Sequence, residues 1–102
     1  MPAVVRVGDS LSTGHGCDGS TTLASANQGS VFVNGILAAV VGAPTVSHLL
    51  PNPSPPPACI PHTANLNAGS PNVFIEGIPV GRVGDSADAG AMTSGSPNVF
   101  AN

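Results

Sequence analysis

Tryptophan, tyrosine and lysine are absent from this 102-residue chain, and only Arg6 and Arg82 carry permanent positive charge. Two cations cannot build a basic patch, which argues against nucleic acid as a partner. Charged residues make up 7% of the chain, against about a quarter in an ordinary domain. The net charge of −3 and mean hydropathy of +0.28 oppose disorder, which needs low hydrophobicity with high net charge. Large apolar groups are scarce too, with three phenylalanines as the only Phe, Trp or Tyr rings. A small domain with so little to bury calls for a staple: a metal, a disulfide or a partner. No apolar run approaches the roughly 18 residues of a membrane span. The start, Met1-Pro2-Ala3-Val4-Val5-Arg6, lacks a basic segment followed by a long apolar one, so no signal peptide is expected. Cys17 and Cys59 are the only cysteines, and without an export signal they read as reduced thiols of a cytoplasmic product.

What is present is a repeat. Each phenylalanine follows a valine. Residues 31–43 (Val31-Phe32-Val33-Asn34-Gly35-Ile36 onward) align with residues 73–85 (Val73-Phe74-Ile75-Glu76-Gly77-Ile78 onward). A third copy begins at Val99-Phe100-Ala101-Asn102, and residues 1–9 supply its second half. In that register Arg6 falls on Arg82, Gly8 on Gly84 and Asp9 on Asp85. Gly69-Ser70-Pro71-Asn72 and Gly95-Ser96-Pro97-Asn98 precede two of the copies. Repetition of this kind predicts a pseudo-three-fold object, one domain over residues 1–102, closed by bringing the termini together.

Each unit reads as a β-hairpin. Asn34-Gly35 between apolar runs is a strong two-residue turn signal, and Glu76-Gly77 is its weaker equivalent. Gly8, Gly42 and Gly84 mark a turn or bulge after each second strand. No segment shows sustained helical periodicity, although residues 20–28 could form one helical turn. The fold class is all-β. Phe32, Phe74 and Phe100 occupy equivalent positions and are expected mostly in the core. Three loops, 10–28, 44–68 and 86–94, join the units. The proline run at 51–57 reads as a stiff loop within the one domain.

All three histidines and both cysteines fall in the first two loops: His15, Cys17, His48, Cys59 and His62. Cys59-Ile60-Pro61-His62 has knuckle spacing, and imidazole with thiolate suits tetrahedral Zn²⁺. His15, His48, Cys59 and His62 would close a site that ties two loops together. Spacing alone leaves unconnected loop histidines equally open. Cys17 is a spare ligand, or a disulfide partner for Cys59.

Gly8-Asp9-Ser10-Leu11 matches the nucleophile motif of GDSL-type esterases. No histidine follows His62, however, and Gly84-Asp85-Ser86 repeats the tripeptide, so the repeat accounts for the match. A cysteine nucleophile with a histidine, or Asp18 orienting His15, has no accompanying substrate site. No enzyme is expected. Arg6 and Arg82 read first as structural bonds to a carboxylate or carbonyl, with a partner contact as the other reading.

Taken together, Gly-Ser-Pro-Asn-Val-Phe, the hairpin that follows, Pro79-Val80-Gly81-Arg82-Val83-Gly84-Asp85 and Thr13-Gly14-His15-Gly16-Cys17 resemble the PAAR-repeat family over essentially the whole chain. The signature is degenerate: Leu37-Ala38-Ala39-Val40 lacks its arginine, and Ala3-Val4-Val5-Arg6 keeps it. The resemblance implies a small β cone that caps the trimeric β-helical spike of a type VI secretion system (VgrG-type) or a contractile phage tail. It implies one zinc ion per chain, with iron as the other fit, held by His15, His48, Cys59 and His62. It implies a tip without effector extensions, where any effector binds non-covalently, with transient contact to a target membrane. Such a tip is made in the cytoplasm and delivered outward by contraction. A free-standing zinc-stapled binding module and a small metalloenzyme are the competing readings. Which residues dock on the spike is unassigned.

Overall fold

Asn34 and Gly35 take φ of 55° and 75°, and Glu76 and Gly77 take 52° and 77°. These left-handed pairs are what a two-residue hairpin needs to match strand twist. They sit between β3 (Phe32–Val33) and β4 (Ile36–Leu37), and between β7 (Phe74–Ile75) and β8 (Ile78–Pro79). Phe32 pairs with Leu37 and Phe74 with Pro79. In the split unit Phe100 bridges Ala3, the residue equivalent to Leu37 and Pro79. The register is therefore the same across the join between the termini as within the continuous units.

The computed structural model describes residues 1–52 and 58–102 and is all-β, with no helix among the described residues. The remaining strands are β1 (Ser10–Ser12), β2 (Ser20–Thr22), β5 (His48–Pro51), β6 (Cys59–His62), β9 (Ser86–Ala87) and β10 (Gly90–Met92). They order as a four-stranded sheet β2-β1-β10-β9 and three two-stranded hairpins. The loops expected between units are thus themselves hairpins, and β2 occupies part of the stretch where a helical turn seemed possible. The proline run extends into residues 53–57, which lie outside the described residues.

The three units close around a backbone triangle. Val5 N–H donates to Gly81 C=O (3.0 Å), Gly81 N–H to Ala39 C=O (2.9 Å), and Ala39 N–H to Val5 C=O (3.0 Å). These three residues are equivalent in the repeat. The bridges Val4–Arg82, Arg6–Ala38 and Val40–Val80 follow the same cyclic order. An outer cycle links the same units in the opposite donor sense: Asn34 accepts from Ser96 Oγ, Glu76 from Ser30 Oγ, and the Asn102 carbonyl from Ser70 Oγ. Each unit is thereby hydrogen-bonded to both of the others. A side chain at Gly81 would meet Leu66 and Val5 at 2.4 and 2.7 Å, which is why the tight triangle takes glycine at one corner.

Two apolar clusters pack along the molecule, which measures 44 × 23 × 21 Å. One gathers Val4, Val33, Ala38, Val40, Ile75, Val80 and Ala101 from the repeat units. The other joins Val5 and Ala39 to loop residues Leu11, Leu23, Leu66, Ala87 and Met92. The phenylalanines belong to neither. Phe32, Phe74 and Phe100 are 58%, 53% and 48% exposed, so their expected place in the core is corrected. Successive strand residues point to opposite faces. Val33, Ile75 and Ala101 turn inward, which sends the preceding ring outward in all three units. Val31, Val73 and Val99 are exposed beside them.

Arg6 and Arg82 clasp Asp9 and Asp85 in the same way. Each guanidinium contacts both carboxylate oxygens of its partner, at 2.9–3.2 Å. Each also reaches a carbonyl of the preceding turn, Gly95 or Gly69. The Gly-Asp-Ser tripeptides are accordingly turn clasps, with Asp9 and Asp85 occupied by arginine.

Candidate metal centre

Three segments deliver the site. His48 and His62 are cross-strand partners on β5 and β6, so both rings stand on one face. Their centroids are 4.9 Å apart. His15 follows β1 in the turn Thr13-Gly14-His15, and its ring stacks on His48 at 5.2 Å. Asp88 sits at the β9–β10 turn with φ 53°. Gly14 and Gly90 allow the approach of these two turns. A Cβ at Gly14 would lie 2.2 Å from the Ala89 carbonyl, and one at Gly90 would lie 2.1 Å from the Ser12 carbonyl. The Ala89 N–H donates to the Thr13 carbonyl at 2.9 Å, fixing His15 over Asp88.

All three Nε2 atoms converge on one carboxylate. His15 and His48 lie 2.9 and 2.8 Å from Asp88 Oδ2, and His62 lies 3.3 Å from Oδ1. His15, His48, His62 and Asp88 each present one ligand atom, and these four atoms lie within 4.8 Å of one another. His48 and Asp88 are nearly buried, whereas the His62 side chain keeps 28% of its surface exposed.

The hydrogen-bond chemistry tests whether a cation fits. His15 Nδ1 is 3.0 Å from the Gly16 carbonyl, and His48 Nδ1 is 2.9 Å from the Val46 carbonyl. A carbonyl only accepts, so both Nδ1 atoms carry hydrogen. A neutral ring so protonated turns a lone pair at Nε2 toward an acceptor-only carboxylate. A metal ion between the rings and the carboxylate resolves that opposition. The backbone carbonyls behind His15 and His48 are also the usual outer support of a metal site. The residues fit a metal.

Without one, the cluster is held by charge. The His15 pKa is raised above 6.5, first by its bond to the Gly16 carbonyl, against a smaller opposing effect of burial, and then by Asp88. Burial by itself would raise the Asp88 carboxyl, but hydrogen bonds from His48, His15 and His62 and the His15 charge together hold it below 3.8.

Cys59, expected as the fourth ligand, is instead bonded to Cys17 with their Cα atoms 6.0 Å apart, and neither cysteine is a free thiol. The physical reason is strand geometry. Residues 59 and 62 are both in β6. An odd spacing puts them on opposite faces, roughly 10 Å apart at ~3.3 Å per residue. A metal knuckle needs a turn between its two ligands, and here there is a strand. Asp88 takes the place intended for Cys59. The sequence signal was there: the third loop, 86–94, holds Asp88 as its only ionisable residue. Asp18 does not orient His15. Its carboxylate accepts from the Leu49 N–H at 2.8 Å and its own N–H donates to the Leu49 carbonyl at 3.1 Å, docking the first loop on β5.

A comparison with curated proteins returns no match. The family model described as PAAR motif matches residues 13–92, a stretch that runs from the turn before His15 to the end of β10 and contains every residue of the metal cluster. The chain belongs to the PAAR-motif family.

Proposed function

We propose that this chain is the tip of a trimeric β-helical spike, capping and sharpening a puncturing device of the type VI secretion or contractile-tail kind. The observation that carries the reading is the trio of exposed rings, Phe32, Phe74 and Phe100, at equivalent positions around a closed three-unit cycle. A single chain cannot share a strict three-fold axis with a trimer. A quasi-three-fold apolar face is the available match, and each ring offers one equivalent contact per spike subunit. PAAR domains are structural spike-tip domains, which agrees with this role.

The metal completes the tip. Three imidazoles and one carboxylate suit one Zn²⁺ in tetrahedral coordination, and Fe²⁺ is the other candidate. Four protein donors leave no position for a reacting water, so the site serves as a staple rather than a catalyst. When bound, the ion supplies rigidity to segments that contribute little core. On this reading the chain is made in the cytoplasm and delivered outward with the spike.

The test is co-assembly. The wild-type chain, mixed with the trimeric β-helical spike of the same host, should elute as one chain per trimer. The triple variant Phe32→Ser/Phe74→Ser/Phe100→Ser should keep its circular dichroism and lose the complex. A wild-type chain that stays monomeric beside the spike would leave the free-standing binding module as the better reading.

A further inference from the structure

The Cys17–Cys59 disulfide and the metal cluster use the same two segments. Cys17 lies two residues after His15, in the turn that carries that ligand. Cys59 opens β6, the strand that ends at His62. The disulfide therefore ties the His15 turn to the hairpin that holds His48 and His62. Hydrogen bonds also join the two loops, the Asp18–Leu49 pair and the Val46 N–H to the Thr22 carbonyl among them, and the Ala89–Thr13 bond holds the His15 turn to the Asp88 turn. His15 is the ligand that depends most on this restraint, because its own turn contributes no cross-strand partner to the site. Asp18 N–H and carboxylate dock the residue immediately after Cys17, so the disulfide and these bonds act on one short stretch.

We propose that the disulfide is a positioning device for the metal site, so that its redox state sets metal affinity. In the oxidised chain the His15 turn is already placed over Asp88, and the metal does not have to order it. In the reduced chain metal binding has to fix that turn against hydrogen bonds alone. Fixing one residue fewer is worth on the order of tenfold in affinity. Coupling between two sites is reciprocal, so the metal must favour the disulfide by the same factor. Reduction cleaves the S–S bond with two electrons and two protons, both taken from a thiol couple such as glutathione, which is oxidised to its own disulfide. A chain carried from a reducing to an oxidising compartment would then hold its metal more tightly after the transfer. The coupling rests on the cluster binding a metal, and the experiment separates the two.

Zinc affinity is measured by competition with a chromophoric chelator, on the oxidised wild type and on Cys17→Ser/Cys59→Ser, with circular dichroism confirming that each is folded. The expected result is binding at least about tenfold weaker in the double variant. Equal affinities would overturn the coupling and leave the metal site standing. Absence of zinc binding by the oxidised chain would remove the metal site, and the coupling with it. Tighter binding by reduced wild type, not shared by the double variant, would give Cys59 to the metal and overturn the proposal. Should the double variant not fold, the wild type alone decides. Its disulfide is equilibrated against a glutathione couple at fixed free zinc and scored by thiol alkylation. A tenfold coupling makes the disulfide about 30 mV harder to reduce when zinc is present, and an unmoved midpoint overturns it.

Discussion

His48 stands directly opposite His62 across the β5–β6 ladder, and both reach the one carboxylate of Asp88. Three residues before His62 on the same strand, Cys59 is bonded to Cys17. A strand separates positions of odd spacing onto its two faces. One short hairpin therefore feeds a histidine–aspartate cluster that could hold a metal from one side and a disulfide from the other.

The first prediction concerns the fourth ligand. Elemental analysis at saturating zinc should give about one zinc per chain for wild type and for Cys59→Ser. His48→Ala and Asp88→Ala should each lose it. The reverse pattern, with Asp88→Ala loaded and Cys59→Ser empty, would restore the thiolate site.

Backbone approach at Gly14 can be tested separately. Gly14 has φ +76° and its Cβ would meet the Ala89 carbonyl, whereas Gly19 has nothing within 4 Å. Gly14→Ala should cost about 1–3 kcal/mol or more in urea unfolding and weaken zinc binding. Gly19→Ala should stay within about 0.5 kcal/mol of wild type.

Stability should not follow ring size. Leu11 is fully buried and Phe74 is half exposed. Leu11→Ala should cost about 2–5 kcal/mol, and Phe74→Ala under about 1 kcal/mol. Spike binding should show the opposite order of sensitivity. A large loss of stability in Phe74→Ala would place that ring in the core after all.

The metal reverses the sign of the pH dependence. In the metal-free chain the raised His15 pKa contributes stability that is fully present below 6.5 and is lost as pH rises through the raised folded value. The lowered Asp88 pKa contributes stability that is present above 3.8 and is lost as pH falls through the lowered folded value. Metal-free Tm attributable to this cluster should therefore fall as pH rises above 6.5. Metal binding has to displace the His15 proton, so zinc affinity and the gain in Tm from zinc should rise over the same interval. Parallel thermal melts with and without zinc read both slopes, and slopes of the same sign would speak against proton and metal competing for these atoms.

The amino-acid order by itself determined the repeat, its register and the hairpins. Asn34-Gly35 and Glu76-Gly77 demand φ > 0 wherever they sit, and the alternation around Phe32, Phe74 and Phe100 is local. It also determined that the histidines lie outside the units. Which face of each strand is inner was decided only in three dimensions. Val33, Ile75 and Ala101 won the interior because three units meeting at Val5, Ala39 and Gly81 leave little room near the axis, and the larger rings were turned out. The grouping of the three histidines with Asp88 was decided in the same way. Spacing along a chain cannot tell a turn from a strand at residues 59–62, and it cannot bring Asp88, 26 residues from His62 and 73 from His15, to the same point. That convergence comes from the packing of three hairpins that no short stretch of sequence encodes.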